Sequence, residues 1–503
     1  ASLSLHLLLS VLSRSVYQNP CDAPSPRQTH LHTLRALVDT NYTSRMSDNH
    51  ASYAKIPPDT RKVDSSHMDS NGPQKLAEKD PMGSGMSKLE ALFSHPLYNM
   101  PTPPIHEDDW LLKVKHKGKA LTSAMTQPIG TGAVTATPPP PPPRLRFHLG
   151  ISRWQLYPHL DPNMASLAQQ LSTHRIVSAD VLQKSGGTQL KLVMSFPNYG
   201  QAMLKPIKQE RDEETNFNLY YFSDFERHNA EIAAFHRDRV LGYRRIPPAV
   251  GRLVDVVTEI KDITTDHKLA RTFFTSPVFL LQHAVCGRPQ NLEASLAMML
   301  PDPSLATRRT WRSPWKCSYS RSKLAVWEKN PDYCDTVKTP PYNKGTRLVD
   351  LIDMTILDFL MGNMDRHHYE TFEKFGNNTF LLHLDNGKAF GRHSTDEPSI
   401  LTPLEQCCRI RRSTLLHLRL LSLPQYRLSD VMRDSLSHDP LFSVAPLLSA
   451  LHLSALDRRL VTVLQTVSCC QERQRSRHGE GDDVIYENVT DYKTLVNHVT
   501  PAR

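Results

Sequence analysis

The sequence predicts an α+β fold in two lobes: a small, β-rich lobe with one key helix, and a larger, mainly helical lobe. Three stretches carry that reading. Residues 188–196 (TQLKLVMSF) and 201–206 (QAMLKP) flank the turn signal Pro197-Asn198-Tyr199-Gly200 and read as a strand pair, with a helix following over 224–241. Residues 348–364 form a long apolar run, a buried helix that ends at Asp365-Arg366-His367-His368-Tyr369-Glu370. Residues 380–384 (FLLHL) read as a strand entering a tight turn at Asp385-Asn386-Gly387. Asp365 and Asp385 thus stand at the end of a helix and the end of a strand. A further apolar helix over 413–421 adds to the larger lobe.

In chain order, residues 1–12 (with LSLHLLLSVL at 3–12) are apolar but too short to span a bilayer. They read as the remnant of a signal or anchor, so membrane attachment would come only through a missing or truncated N-terminal anchor. Residues 13–144 read as a disordered Pro/Ser-rich stem with a short ordered piece at 88–97. It closes on six prolines, Pro138 to Pro143, a stiff spacer unsuited to the interior of a helix or sheet. The small lobe and hinge are expected over 145–300 and the large lobe over 301–473. A flexible tail made acidic by Glu480, Asp482 and Asp483 follows over 474–503.

Composition narrows the function. The chain has 503 residues, 39% hydrophobic and 22% charged, with a net charge of +9. That supports a sizeable core, and without an aromatic ladder or a nucleic-acid motif it excludes nucleic acid as the partner. Basic clusters at Arg308, Arg309, Arg312, Lys316, Arg321 and Lys323, and at Arg409, Arg411 and Arg412, are either solvated surface or a cleft rim that attracts acidic substrates. The eight cysteines include no CxxC pair, which argues against a zinc ribbon. The adjacent pairs Cys407-Cys408 and Cys469-Cys470 suit bridges to different parts of the chain. With sequons at Asn41, Asn377 and Asn488 they favour an oxidising, secretory compartment.

The chemistry follows from the two aspartates. One Asp on a loop after a helix and a second at a strand's end are what phosphoryl transfer requires. The first receives the proton of the attacking hydroxyl, and the second holds the metal on the nucleotide phosphates. Asp365 takes the first role and Asp385 the second, through hard carboxylate oxygens. Arg366, His367 and His368 either position Asp365 or the substrate, or are structural. Lys205, on the second strand, is the candidate for the phosphates, with Lys208 as a nearby rival. Its partner on the following helix is Glu226 or Glu231. Ser223 and Glu226 also make a capping box, so the residues alone leave the choice open. Gly186-Gly187 fits either a tight turn or a phosphate approach. A metal hydrolase built on the two histidines lacks an HExxH helix, and no Walker A motif is present.

Residues 222–238 (FSDFERHNAEIAAFHRD), 353–376 (DMTILDFLMGNMDRHHYETFEKFG) and 384–391 (LDNGKAFG) closely resemble the secretory-pathway kinases that include the Golgi casein kinase. Ser399-Ile400-Leu401 and Gln406-Cys407-Cys408-Arg409-Ile410 add to the resemblance, which spans 222 to about 473. The same family contains a xylosylkinase and a catalytically dead pseudokinase. The resemblance implies an atypical two-lobed protein-kinase-like fold with ATP as co-substrate and Mn²⁺ as the preferred metal, Mg²⁺ serving as a substitute. It implies catalytic Asp365, metal ligands Asp385 and Glu226 (Gln in the pseudokinase), phosphate contacts from Gln189 and Lys205, and a nucleotide contact from Glu370. Ala297, Met298, Met299 and Leu300 would line the adenine site as the hinge. Bridges Cys334–Cys407 and Cys408–Cys470 are implied, with Cys469 lacking a counterpart.

By the same resemblance, the substrates are acidic secreted proteins phosphorylated at Ser-x-Glu, in the Golgi lumen and after secretion. The enzyme would act as a homodimer or paired with a pseudokinase relative. One departure stands out. Between residues 274–277 and 283–287 the family carries a longer segment with three more cysteines, replaced here by 278–282 (VFLLQ). That leaves Cys286 without its expected partner and implies lower stability without loss of a catalytic group.

Overall fold

Order begins before the expected domain boundary. The computed structural model describes residues 86–100, 110–112, 141–182, 191–198, 200–216, 226–267, 269, 291–318, 323–377, 379–478 and 484–487. Gly186, Gly187, Gln189, Ser223 and the shortened segment 278–286 lie outside them. Helix α1 (Lys88–Phe93) falls in the stretch expected to be ordered within the stem. It buries Leu89, Leu92 and Phe93 and is fixed to the helix Leu428–Ser437 through Lys88 Nζ on Asp430 (3.0 Å) and the Leu89 N–H on Asp434 (2.7 Å). Helix α2 (Pro143–Gly150) starts on the last proline of the spacer. The spacer reading needs correcting there, because a proline at the first helical position lacks only an N–H that has no partner anyway. Helix α3 (Asn163–Thr173) follows.

Alternating buried positions then build an antiparallel sheet in the order β1-β2-β3-β5-β4. Its strands are β1 (Ser178–Val181), β2 (Leu192–Ser195), β3 (Gln201–Pro206), β4 (Ala249–Asp255) and β5 (Asn291–Met298). The pair β2–β3 is the expected hairpin, with Leu192 opposite Leu204 and Val193 opposite Met203. Helix α4 (His228–Val240) starts later than expected, because Arg227 is extended (φ −100°, ψ 128°). Every residue of α4 except Arg239 is buried, although its sequence is largely polar. Partners reach some of its polar groups from both sides, while the Arg237 guanidinium is buried with no hydrogen-bond partner among the described residues. On the sheet, His228 meets Glu293 (3.0 Å); in the helical region, Asn229 donates to the Leu447 carbonyl (2.9 Å) and His236 meets Ser435 (2.7 Å). The helix is therefore the joint between the two regions.

The strands β6 (Arg308–Arg312) and β7 (His368–Phe372) form a separate antiparallel ribbon. Around it lie α5 (Val326–Lys329), α6 (Tyr333–Val337), α7 (Arg347–Met361), α8 (Thr402–Cys407), the short strand β8 (Ile410–Arg411), α9 (Arg412–Leu421), α10 (Leu428–Ser437) and α11 (Ala450–His478). All residues of α7 are buried, and it stops three residues short of expectation at Gly362, whose φ of +68° is the left-handed cap that glycine adopts without strain. Disulfides Cys334–Cys407 and Cys408–Cys470, those implied by the resemblance, fasten α6 to α8 and the end of α8 to α11. The tail reading also needs correction. Helix α11 continues through His478, and β9 (Ile485–Tyr486) pairs in parallel with β8.

The expected strand over 380–384 is an extended segment with one isolated bridge, Leu382 to Glu370. Its backbone N–H groups donate to three separate places: Phe380 to Arg153, Leu382 to Glu370 and His383 to Arg245. Phe380, Leu381, Leu382 and His383 are buried on all sides, so no single strand can serve the whole segment.

Burial sets a pH dependence. It pushes the His236 imidazole down to about 3 and those of His417 and His452 to about 4, from an ordinary 6.5. The unfolded chain takes up these protons first, so this stability is complete above pH 6.5 and is lost as pH falls toward 4. Asp238, pushed up to about 7 by burial, works in the opposite direction, as do Asp358 and Asp439, while burial lowers His383 as well. At about 1 kcal/mol per group per pH unit, His236, His417 and His452 against Asp238 leave a net loss of about 2 kcal/mol between pH 6.5 and 5.5 from these four groups. Urea unfolding at the two pH values should show that loss, reduced by about half in His236→Gln. A stability that is flat or rising over the interval would contradict it.

Candidate active site

The site forms where three backbone segments converge on one ammonium. Strand β3 buries Lys205 next to its last residue, and the Lys205 Nζ lies 2.8 Å from Glu226 Oε2, 2.5 Å from Glu231 Oε1 and 2.7 Å from Asp385 Oδ1. Both glutamates left open by the sequence are therefore used. Glu231, in the first turn of α4, also accepts the Asn386 N–H (2.9 Å), tying the helix to the turn after Asp385. Glu226 precedes the helix and makes no capping box. The Arg227 N–H donates to the Gly387 carbonyl (2.6 Å), and a Cβ at Gly387 would stand 2.8 Å from Glu226 Cβ. Gly387 is thus required for space, so that Glu226 can lie against the turn.

A second lysine completes the cluster. Lys191 Nζ is 3.2 Å from Glu226 Oε1 and 3.2 Å from Asp385 Oδ1. Extending the β2–β3 register by one residue sets Lys191 opposite Lys205. Sequence reasoning missed Lys191, although hairpin pairing was the signal that could have found it. Desolvation opposes charge on Asp385, but the attraction of Lys205 and Lys191 outweighs it and holds the carboxyl well below the usual range. Burial likewise opposes charge on Lys205, and Asp385, Glu226 and Glu231 together raise it well above the usual lysine value. Lys208, the rival candidate, is buried and pushed down to about 8, with Glu226 resisting and the two lysines adding to the effect.

Asp385 sits at φ +61°, a left-handed conformation that turns its side chain away from the buried run before it and leaves it 59% exposed. Asn386 fixes this geometry. Its side chain accepts from Arg366 (2.7 Å) and donates to the His383 carbonyl (3.1 Å). Arg366 is structural. Its guanidinium is paired with Asp358 of α7 at 2.9 and 3.0 Å, and it also donates to the Leu384 carbonyl. The loop bearing Asp365 and the turn bearing Asp385 are thereby held to each other.

Asp365 itself is braced on both oxygens, by Lys388 Nζ (3.2 Å) on Oδ2 and His367 Nδ1 (3.2 Å) on Oδ1. The hydrogen bond to Asp365 raises the His367 pKa above its ordinary value. Lys388 was not singled out in the sequence. It follows the Asp-Asn-Gly turn, whose closing bond from the Ala389 N–H to the Asn386 carbonyl (2.9 Å) fixes where it points. His368 opens β7 and is exposed.

The other expected residues lie apart from this cluster. Glu370, on β7, is paired with Arg308 (2.9 Å). Ala297 and Met298 end β5. The Met299 N–H donates to the Gln201 carbonyl (3.1 Å), and its own carbonyl meets His148 Nε2 (2.9 Å), so the segment running on to Leu300 is held from two sides.

Among the described residues no group of three or more His, Cys, Asp or Glu side chains is arranged to hold a metal. The donor set still fits a hard divalent cation on phosphates. Glu226 and Asp385 supply carboxylate oxygens around a shared ammonium, and such ions are held by one or two carboxylates with phosphate oxygens completing the shell. Glu226 Oε2 is buried 2.8 Å from the Lys205 ammonium, an ionic contact without hydrogen-bond geometry that a divalent cation could share.

A family model described as Fam20C, the Golgi casein kinase C-terminal region of Fam20, matches residues 143–479. The human extracellular serine/threonine protein kinase FAM20C is 47% identical over 504 residues, covering 91% of this chain and 84% of its own. The human pseudokinase FAM20A is 46% identical over 426 residues, covering 76% of this chain and 78% of its own. A crystal structure of the Golgi casein kinase with Mn and ADP bound superposes with a TM-score of 0.64 at 39% identity, covering 69% of this chain and 84% of that one.

The bracing of Asp365 carries a consequence. Replacing Lys388 by Met should lower phosphoryl transfer about 10- to 100-fold through kcat and leave the KM for ATP within about twofold, because a positioning effect on the acceptor side leaves nucleotide binding alone. A rise in the ATP KM with kcat unchanged would instead make Lys388 a nucleotide ligand.

Proposed function

The chain belongs to the Fam20 family of Golgi casein kinases, and from there we propose that it transfers the γ-phosphoryl of ATP to serine in Ser-x-Glu motifs of acidic secreted proteins, with Mn²⁺. One observation carries the reading. A buried lysine is shared by three carboxylates, one of them open to solvent, beside a second aspartate braced on a loop. Relatives of nearly equal similarity include both a kinase and a pseudokinase, so similarity alone does not choose between activity and inactivity. The intact Glu226, Asp385, Lys205 and Asp365 favour activity.

In this reading Lys205 and Lys191 bind the phosphates, and Glu231 keeps Lys205 in place when the nucleotide draws on it. Asp385 and Glu226 hold the divalent ion, which when bound neutralises charge on the phosphates. Asp365 accepts the serine hydroxyl proton as the serine oxygen bonds to the γ-phosphorus and the bond to the ADP oxygen breaks. Gln189 joins the phosphate contacts, and Glu370 with Ala297, Met298, Met299 and Leu300 surrounds the nucleoside. The two disulfides fit an oxidising lumen, and the Golgi and extracellular space are the proposed location. A homodimer, or a pair with a pseudokinase relative, is the proposed assembly. Among the described residues no helix is long and apolar enough to cross a membrane.

The test is transfer of labelled phosphate from Mn-ATP to casein and, in parallel, to a xylose-containing linker glycan. Label should appear on casein. It should fall about 10²- to 10⁴-fold in Asp365→Asn, as for loss of a general base, and by at least as much in Asp385→Ala. Label on the glycan alone would assign the chain to xylose phosphorylation, and no label on either would make it a partner protein.

A further inference from the structure

The β6–β7 ribbon sorts its side chains onto two faces. Arg308, Thr310 and Arg312 pair in register with Phe372, Glu370 and His368 and share one face; Arg309, Trp311, Tyr369 and Thr371 share the other. The contacts agree with this sorting. Arg308 reaches Glu370 across the first face, while Trp311 stacks on Tyr369 (6.5 Å, 12°) and donates to Thr371 (2.8 Å) on the second. Two of the three ribbon arginines are committed, Arg308 to Glu370 and the Pro301 carbonyl, and Arg309 to the Trp311 ring at 4.1 Å. Arg312 is exposed, and among the described residues it has no hydrogen-bond or ion-pair partner.

Its position is fixed against the loop that bears Asp365. Arg312 lies opposite His368, and the next residue, Ser313, donates its N–H to the His367 carbonyl (2.9 Å). His367 in turn holds Asp365. Lys316 closes the following turn, its N–H on the Ser313 carbonyl (3.3 Å). Desolvation, then His367, Arg312 and Lys316, lower the pKa of His368, which marks local positive charge. Asp365 and Glu370, the carboxylates nearby, already have basic partners.

We propose that Arg312, with Lys316 beside it, is the subsite for the substrate carboxylate two residues after the phosphorylated serine. This rests on the Ser-x-Glu reading above. In an extended peptide that carboxylate lies about 7 Å along the chain from the serine held at Asp365. Arg312 stands across the ribbon from the third residue after Asp365, and its planar guanidinium matches a carboxylate.

Steady-state kinetics on peptides that differ only as Ser-x-Glu, Ser-x-Gln and Ser-x-Lys test it. The unaltered protein should prefer Glu. Arg312→Ala should lose about tenfold or more in kcat/KM on the Glu peptide, through KM, with the Gln peptide and the ATP KM unchanged. Arg312→Lys should recover part of the preference, and Arg312→Glu should turn it toward the Lys peptide. Full Glu preference in Arg312→Ala would overturn the subsite while leaving the Ser-x-Glu reading intact. Equal use of Glu and Gln by the unaltered protein would overturn both.

Discussion

The buried ammonium of Lys205 is the contact on which the rest depends. It belongs to the sheet, yet its carboxylate partners come from the segment before α4, from α4 itself and from the Asp385 turn. An unpaired charge buried this deeply would be severely unfavourable, so the three acidic side chains and the lysine stabilise one another or not at all. The cluster carries three negative and, with Lys191, two positive charges, which leaves it suited to a cation arriving with an anionic nucleotide. Binding would redistribute partners already within reach and would not require burying new charge.

A second constraint joins the two aspartates. Arg366 spans from Asp358 at the end of α7 to the Leu384 carbonyl and the Asn386 side chain. Asp365 lies beside Arg366 and Asp385 beside Asn386, so a single guanidinium sets the relation between the group proposed to take the proton and the group proposed to hold the metal. Rigid support of this kind makes in-line transfer depend on positioning and electrostatics more than on covalent chemistry. The left-handed Gly362 and the positive φ of Asp385 are the backbone conditions that let the helix stop and the turn form where this geometry needs them.

Much of this was legible in the sequence, and the exceptions have physical causes. The hairpin, α4, α7 and the two aspartates follow from period and turn signals that act locally. The strand expected over 380–384 failed because continuous burial admits an extended segment whose backbone partners come from three places, which no local pattern encodes. Glu226 was ambiguous because the capping box it spells is not formed; Arg227 is extended, and Gly387 makes room for Glu226 instead. Lys191 lies inside the strand expected over 188–196, and only the pairing of β2 with β3 sets it across from Lys205. Lys388 was invisible for a different reason, since its partner Asp365 lies on a separate loop. The disulfides came from the family resemblance and not from spacing.

The central claim is that Glu226 and Asp385, gathered around Lys205, form a metal site completed by nucleotide phosphates. Electron paramagnetic resonance titration of Mn²⁺ with and without ADP tests it most directly. The account predicts tight Mn²⁺ binding only when ADP is present, weakened at least tenfold in Glu226→Gln while the fold is retained. Mn²⁺ binding that is indifferent to ADP, or unchanged in Glu226→Gln, would contradict it.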